Sequence, residues 1–214
     1  DYDVRFIYCR PAREYLRLNR KRDVIEHVLD ETLDISGWDI DKALKLLHSS
    51  NPTLFEWFNS PIIYRCNDDF KAALPELAAY YQGNKGFYHY LHMAQSNYQA
   101  NFKHDYVRIK KYFYVIRPIL ACRWIINLRS APPVPFEKLV DTQLEADMLL
   151  PVADLLARKG RADESEKVPR IQVWDEWIEC NLAILLEQSQ CMKKEGAKDW
   201  APLDTLFFKL IHFG

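Results

Sequence analysis

Apolar residues follow two different patterns in the two parts of this chain. Residues 3–9 are rich in β-branched and aromatic types and run into Pro11, which predicts a strand. Pro11–Leu18 is a connection with room for a short helix. Val24–Val28 and Thr32–Ile35 are strand-type runs separated by Leu29-Asp30-Glu31, predicting a hairpin or adjacent antiparallel strands. Gly37 is expected to break the second run. Ile40, Ala43, Leu44 and Leu47 then recur at helical spacing, predicting a helix over 38–48. Asn51-Pro52 pairs a capping residue with a proline suited to the first helical position, opening a helix over 53–58. Ser60-Pro61 closes it, and Ile62-Ile63-Tyr64 is a last strand candidate.

From Asn67 onward no alternation is visible. Helices are expected over 69–81, 86–102 and 106–128, the third strongly apolar with Pro118 as a kink point. Pro132-Pro133-Val134-Pro135 is a rigid connector, and Phe136–Leu139 restarts a helix. A helix is expected over 144–158, an exposed charged loop over 159–168, an amphipathic helix over 173–190 and a short closing helix over 202–213. The expected class is α+β, with a small sheet-bearing piece over 1–65 and a larger all-helical domain over 66–214.

Composition sharpens this in three ways. Six glycines in 214 residues, against about 7% in average proteins, favour helices and argue against a Gly-rich nucleotide loop within these residues. A net charge of −1 supplies no global field toward nucleic acid or membrane, so a polyanion needs a local basic cluster. No apolar stretch approaches the 18 or more residues of a membrane span. Cys9, Cys66, Cys122, Cys180 and Cys191 are odd in number and dispersed, which reads as reduced thiols of a cytoplasmic protein.

Candidate chemistry centres on Asp1-Tyr2-Asp3 at the head of the first strand and on Asp34 within Leu33-Asp34-Ile35. Residues two apart on a strand share a face, so Asp1 and Asp3 can hold one cation. A third carboxylate from a neighbouring strand completes an oxygen set suited to Mg²⁺ (or Mn²⁺). Thirty acidic residues also produce such spacings by chance, and a solvated strand end is the plain alternative. Asp39 stands where strand turns into helix, fit either to cap that helix or to meet a ligand, and Lys42 lies at helical neighbour spacing from it. Lys110 and Arg117 are two turns apart on one face, with Lys111 beside them among aromatics, a stripe suited to phosphate. Arg117 sits in an apolar run, where a buried guanidinium calls for an anionic partner. His89 and Met93 share a helix face, as ligand-facing or as core residues. No His/Cys spacing supports zinc, and no Ser-His-Asp set can be nominated.

Asp1–Tyr8, Leu33–Leu47 and Ser50–Ile63, with their Leu-Asp-Ile-x-Gly-Trp-Asp and Asn-Pro-x-Leu-x-Glu-Trp blocks, together resemble a family of bacterial and phage nucleotidyltransferases. Further matches are Tyr88–Ala94, Lys110–Ile125 and Pro132–Phe136. The family belongs to the DNA polymerase β superfamily and is proposed to act in RNA repair. The resemblance places the metal ligands on Asp1, Asp3 and Asp34, and implies transfer of a nucleoside monophosphate from a nucleoside triphosphate to an acceptor hydroxyl. An RNA end is one such acceptor, a protein or small molecule another. Arg117, Lys111, Lys110, His89 and Asp39 are the substrate-binding candidates. The superfamily's Gly-Ser helix start, which cradles the phosphates upstream of Asp-x-Asp, is absent before Asp1, so the core reads as N-terminally incomplete. The competing reading is a degenerate transferase serving as a helical interaction or regulatory module.

Overall fold

The computed structural model describes residues 2–28, 32–161 and 166–212. The fold is α+β, a small sheet at the N-terminal end followed by a helical region. Strand β1 (Tyr2–Tyr8) leads through helix α1 (Ala12–Tyr15) to β2 (Val24–Val28) and β3 (Leu33–Asp39). The sheet is mixed, in the order β1-β3-β2. β3 lies parallel to β1 and antiparallel to β2, with Asp3 opposite Asp34, Phe6 opposite Gly37 and Glu26 opposite Ser36.

Gly37 does not break β3. A Cβ there would lie 2.2 Å from the Phe6 ring, so the glycine lets that ring cross the strand while the ladder continues to Asp39. Asp39 then starts α2 (Ile40–His48), its side chain accepting from the Asp41 N–H. Asn51 caps α3 (Pro52–Phe58) by accepting from Thr53 N. Ile62, Ile63 and Tyr64 form no strand. They are exposed in a connection, so their β-branched character reflects no pairing. Asn67 caps α4 (Asp68–Ala78) through two backbone N–H bonds.

Next come α5 (Gly83–Asn101), β4 (Tyr106–Arg108), α6 (Ile109–Leu128) and α7 (Phe136–Gln143). A 3-10 turn over Ala146–Met148 leads into α8 (Leu149–Arg161), then β5 (Lys167–Pro169), α9 (Gln172–Ser189) and α10 (Ala201–Leu210). The β4–β5 antiparallel pair escapes a periodicity reading because three residues per strand cannot display a period of two. The charged stretch after residue 158 is helical to Arg161 and rejoins the fold as β5. α6 runs unbroken through Pro118, and Tyr112, Val115, Ile116, Ile119, Leu120 and Cys122 on it are fully buried.

The chain divides into two compact units, 1–81 with 196–214, and 82–195. The first therefore extends beyond residue 65 and includes the C-terminal segment, for reasons that lie in side-chain chemistry. Trp200 stacks on His48 at 3.5 Å, His48 Nε2 bonds the Lys198 carbonyl, and the Tyr80 hydroxyl donates to the Asp199 carbonyl at 2.7 Å. Lys209 pairs with Asp69, and Phe207 packs edge-on against Tyr15.

Candidate active site

Side chains alternate across a strand, so Asp3, Arg5 and Ile7 of β1 share a face with Asp34, Ser36 and Trp38 of β3 and with Glu26 of β2. At one end of that face Trp38 stacks on Trp57 of α3, ring centroids 3.8 Å apart. The other end is polar and solvent-facing, with Asp3 69% and Asp34 51% exposed at the side chain. There Arg5 Nη2 donates to Asp3 Oδ1 at 2.8 Å and to Asp34 Oδ2 at 2.7 Å. Its Nη1 bonds the Val4 and Asp34 carbonyls. The carboxylates are thus brought together by register and already converge on one cation. Two like charges this close raise each other's energy, and Arg5 offsets that repulsion.

Asp1 lies outside the described residues. Among the described residues no group of three or more metal-ligating side chains occurs. The two carboxylates present still suit a hard divalent cation by donor type.

Asp39, on the same strand as Asp34, has a different role. The two are five positions apart, an odd offset, so Asp39 faces the other side of the sheet. It is 4% exposed, caps α2 and takes Arg10 Nε at 2.9 Å. Arg10 is fixed in turn by the Tyr8 hydroxyl and the Arg22 carbonyl. Asp39 is therefore held by the fold, and Lys42 pairs with Asp23 rather than with it.

The remaining candidates belong to the helical unit. Arg117 finds no carboxylate. It donates to the Val134 carbonyl at 2.6 Å, tying α6 to the proline-rich connector, and the rest of its fork has no partner among the described residues. Lys111 lies 4.6 Å from the Tyr114 ring, a cation–π distance. Lys110 is half-buried beside it, and His89 is half-buried with its ring 5.1 Å from that of Tyr90.

The partners of two arginines of this unit escaped the sequence reading, although Arg123 stood among the basic residues of the long helix. Arg170 donates to Asp175, to the Phe102 carbonyl and to the Tyr98 hydroxyl, locking β5 and α9 to α5. Arg123 donates to the Gln143 carbonyl, Glu145 and Asn181. Glu145 also accepts from Trp177 Nε1 at 2.9 Å. Burial pushes the Glu145 carboxyl up, but the Arg123 and Trp177 bonds outweigh it and hold it below the usual carboxylate range. Partners 22 and 58 residues from Arg123 leave no local signal. Arg5, by contrast, was findable, since two residues from Asp3 on a strand means the same face.

The model of the RNA repair pathway DNA polymerase beta family (RlaP) matches residues 1–209. The chain belongs to that family. It is also 36% identical over 213 residues to the uncharacterized protein YcgL of Bacillus subtilis (strain 168), covering 99% of this chain and 82% of that protein. No solved structure matches it. Membership places the protein in the DNA polymerase β superfamily with a link to RNA repair. The five cysteines are free thiols. No helix among the described residues is long and apolar enough to cross a membrane.

Proposed function

We propose that this protein is a metal-dependent nucleotidyltransferase that moves a nucleoside monophosphate from a nucleoside triphosphate to an acceptor hydroxyl, with an RNA end as the favoured acceptor. The observation that carries this reading is the pair of exposed carboxylates, Asp3 and Asp34, in register on parallel strands and converged on a single cation. Surface carboxylates gain little from such pairing, so stability alone gives weak reason to place two of them together. The family resemblance assigns the third ligand to Asp1, which lies outside the described residues. Mg²⁺ or Mn²⁺ held by these carboxylates would offset the charge of the triphosphate and lower the energy of charge developing in the transition state.

The chain's own residues supply the rest. Asp34 accepts the proton of the attacking hydroxyl, the hydroxyl oxygen bonds to the α-phosphorus, and pyrophosphate leaves. Arg5 neutralises Asp3 and Asp34 in the ligand-free site and, once released from them, turns to the phosphates. No covalent enzyme intermediate is required.

The test is transfer of label from α-labelled nucleoside triphosphates to RNA ends, to protein and to small molecules, with Mg²⁺ or Mn²⁺ supplied. Labelled RNA that disappears with Asp3→Asn supports the reading. Labelled protein instead would move the acceptor, and absence of transfer to all three would favour the interaction-module reading.

A further inference from the structure

One cleft of the helical unit lies wholly within 82–195, bounded by α6, the end of α7 with the turn after it, and α9. It encloses about 330 Å³, at the lower end of the range of about 300–1,000 Å³ that small-molecule pockets span. Its apolar lining is Ile126, Leu144, Ile184 and Leu185.

Apart from the Arg123–Glu145 ion pair, the polar groups lining it are neutral. The one guanidinium, Arg123, is already paired with Glu145 and bonded to the Gln143 carbonyl and Asn181 Oδ1. Asn181 in turn donates to the Trp177 carbonyl. A phosphate or carboxylate ligand would have to displace Glu145 from Arg123, so the cleft disfavours anions. What remains on offer is carboxamide chemistry. Asn127 Nδ2 donates to Gln143 Oε1 at 2.8 Å. One bond between two carboxamides leaves an acceptor on one and a donor on the other, side by side. This holds whichever way round the pair is assigned. Gln143 is 8% exposed and accepts the Asn127 bond through Oε1, which leaves its NH₂ group available to a ligand. Gln188, also on the lining, has no side-chain partner among the described residues.

An adjacent donor and acceptor beside an apolar wall, with no net charge, matches the hydrogen-bonding edge and flat face of a heterocyclic base. Carboxamide donors and acceptors are the groups by which Asn and Gln read base edges. Unpaired RNA bases are recognised by hydrogen bonds to their edges and by contact with their faces. We infer that this cleft is a subsite for one unpaired nucleobase, read by Asn127 and Gln143 and seated against Ile184. Its assignment to the acceptor RNA rests on the proposed transferase reading; the base-binding itself does not.

The experiment is titration of the whole protein with adenosine, cytidine, guanosine and uridine in EDTA, followed by NMR or calorimetry. These probes lack phosphate and metal, so a negative result here leaves nucleotidyl transfer untouched. At least one nucleoside should bind saturably. Ile184→Trp, which fills the cleft from a position already 44% exposed, should weaken that nucleoside at least tenfold. Asn127→Leu, on an exposed residue of similar size, should weaken it at least fivefold and covers the case of a poorly folded Ile184→Trp. Inorganic phosphate should not compete. Absence of saturable binding, wild-type affinity in a folded Ile184→Trp and in Asn127→Leu, or competition by phosphate would each overturn the inference.

Discussion

The open face of the sheet and the interior of the helical unit handle charge in opposite ways. On the sheet, Asp3 and Asp34 are more than half exposed and share one arginine that is itself within reach of solvent. Among the helices, Arg170 has its fork divided between Asp175, a carbonyl and a hydroxyl, and Arg123 between Glu145, a carbonyl and an amide. Arg170 is no more exposed than Arg5, at 27% of the side chain, but its acid Asp175 is only 15% exposed and its fork ties separate elements together, which makes the pair structural. An exposed pair sharing one partner can exchange that partner at small cost. The contrast even runs along one strand, since Asp34 faces solvent while Asp39 is buried against Arg10. Charges held by a single replaceable contact are where chemistry is expected.

The sharpest way to break this comparison is to remove a charge of each kind. Asp39→Ala strips a cap and leaves Arg10 without its carboxylate, and losing one member of a buried pair costs about 3–5 kcal/mol. Urea denaturation should show a loss of that order; a loss under 1 kcal/mol would mean Asp39 is not the structural residue its burial indicates.

Next in size is Tyr112→Phe. The Tyr112 hydroxyl accepts from the part-buried Ile171 N–H at 2.8 Å, and a donor left unsatisfied away from water costs about 1–3 kcal/mol. Burial pushes the Tyr112 hydroxyl up to about 12, with the Ile171 N–H opposing and the Asp175 carboxylate reinforcing the shift. The folded state thus holds this proton more tightly than the unfolded one. Its contribution is complete below the ordinary tyrosine value of 10 and is lost as pH rises toward about 12. The phenylalanine variant should be less stable at neutral pH and lose less between those values. An unchanged alkaline profile would contradict the assignment.

A smaller effect is expected at Glu145, whose carboxyl is held below its ordinary 4.5. A lowered folded value means stability that is full above 4.5 and fades as pH falls through the folded value. Glu145→Gln should therefore flatten the acid limb of a melting-temperature profile, modestly, because the side chain is 44% exposed. The smallest effect belongs to the site itself. Asp34→Asn should change folding stability by no more than about 1 kcal/mol, the usual ceiling for exposed pairs, while transfer activity collapses. A large drop in melting temperature would make Asp34 structural instead.

Much of the sheet was legible because alternation is local. Asp3 and Asp34 fall on strands whose period alone puts each on a definite face. What alternation cannot supply is register, so the opposition of Asp3 to Asp34 and of Glu26 to Ser36 became visible only with the strands paired. Gly37 was misread because a glycine in a strand signals either a break or a close approach, and only the Phe6 ring across it decides between them. The return of residues 196–214 onto the sheet unit depends on contacts such as Trp200 with His48, 152 positions away along the chain. The Arg123 cleft is likewise assembled from three separated helices. Arg117 was expected to need an acid, but a carbonyl of the proline-rich connector, which has no N–H partner to satisfy at its prolines, meets it instead.

The most direct test of the central claim is Mn²⁺ binding, read by electron paramagnetic resonance on the wild-type protein and on Arg5→Gln, Asp3→Asn and Asp34→Asn. If Asp3 and Asp34 form a cation site that Arg5 fills in the absence of metal, Arg5→Gln should bind Mn²⁺ several-fold more tightly than wild type. Each asparagine variant should bind at least tenfold more weakly. Wild-type affinity in both asparagine variants, or weaker binding in Arg5→Gln, would contradict the account.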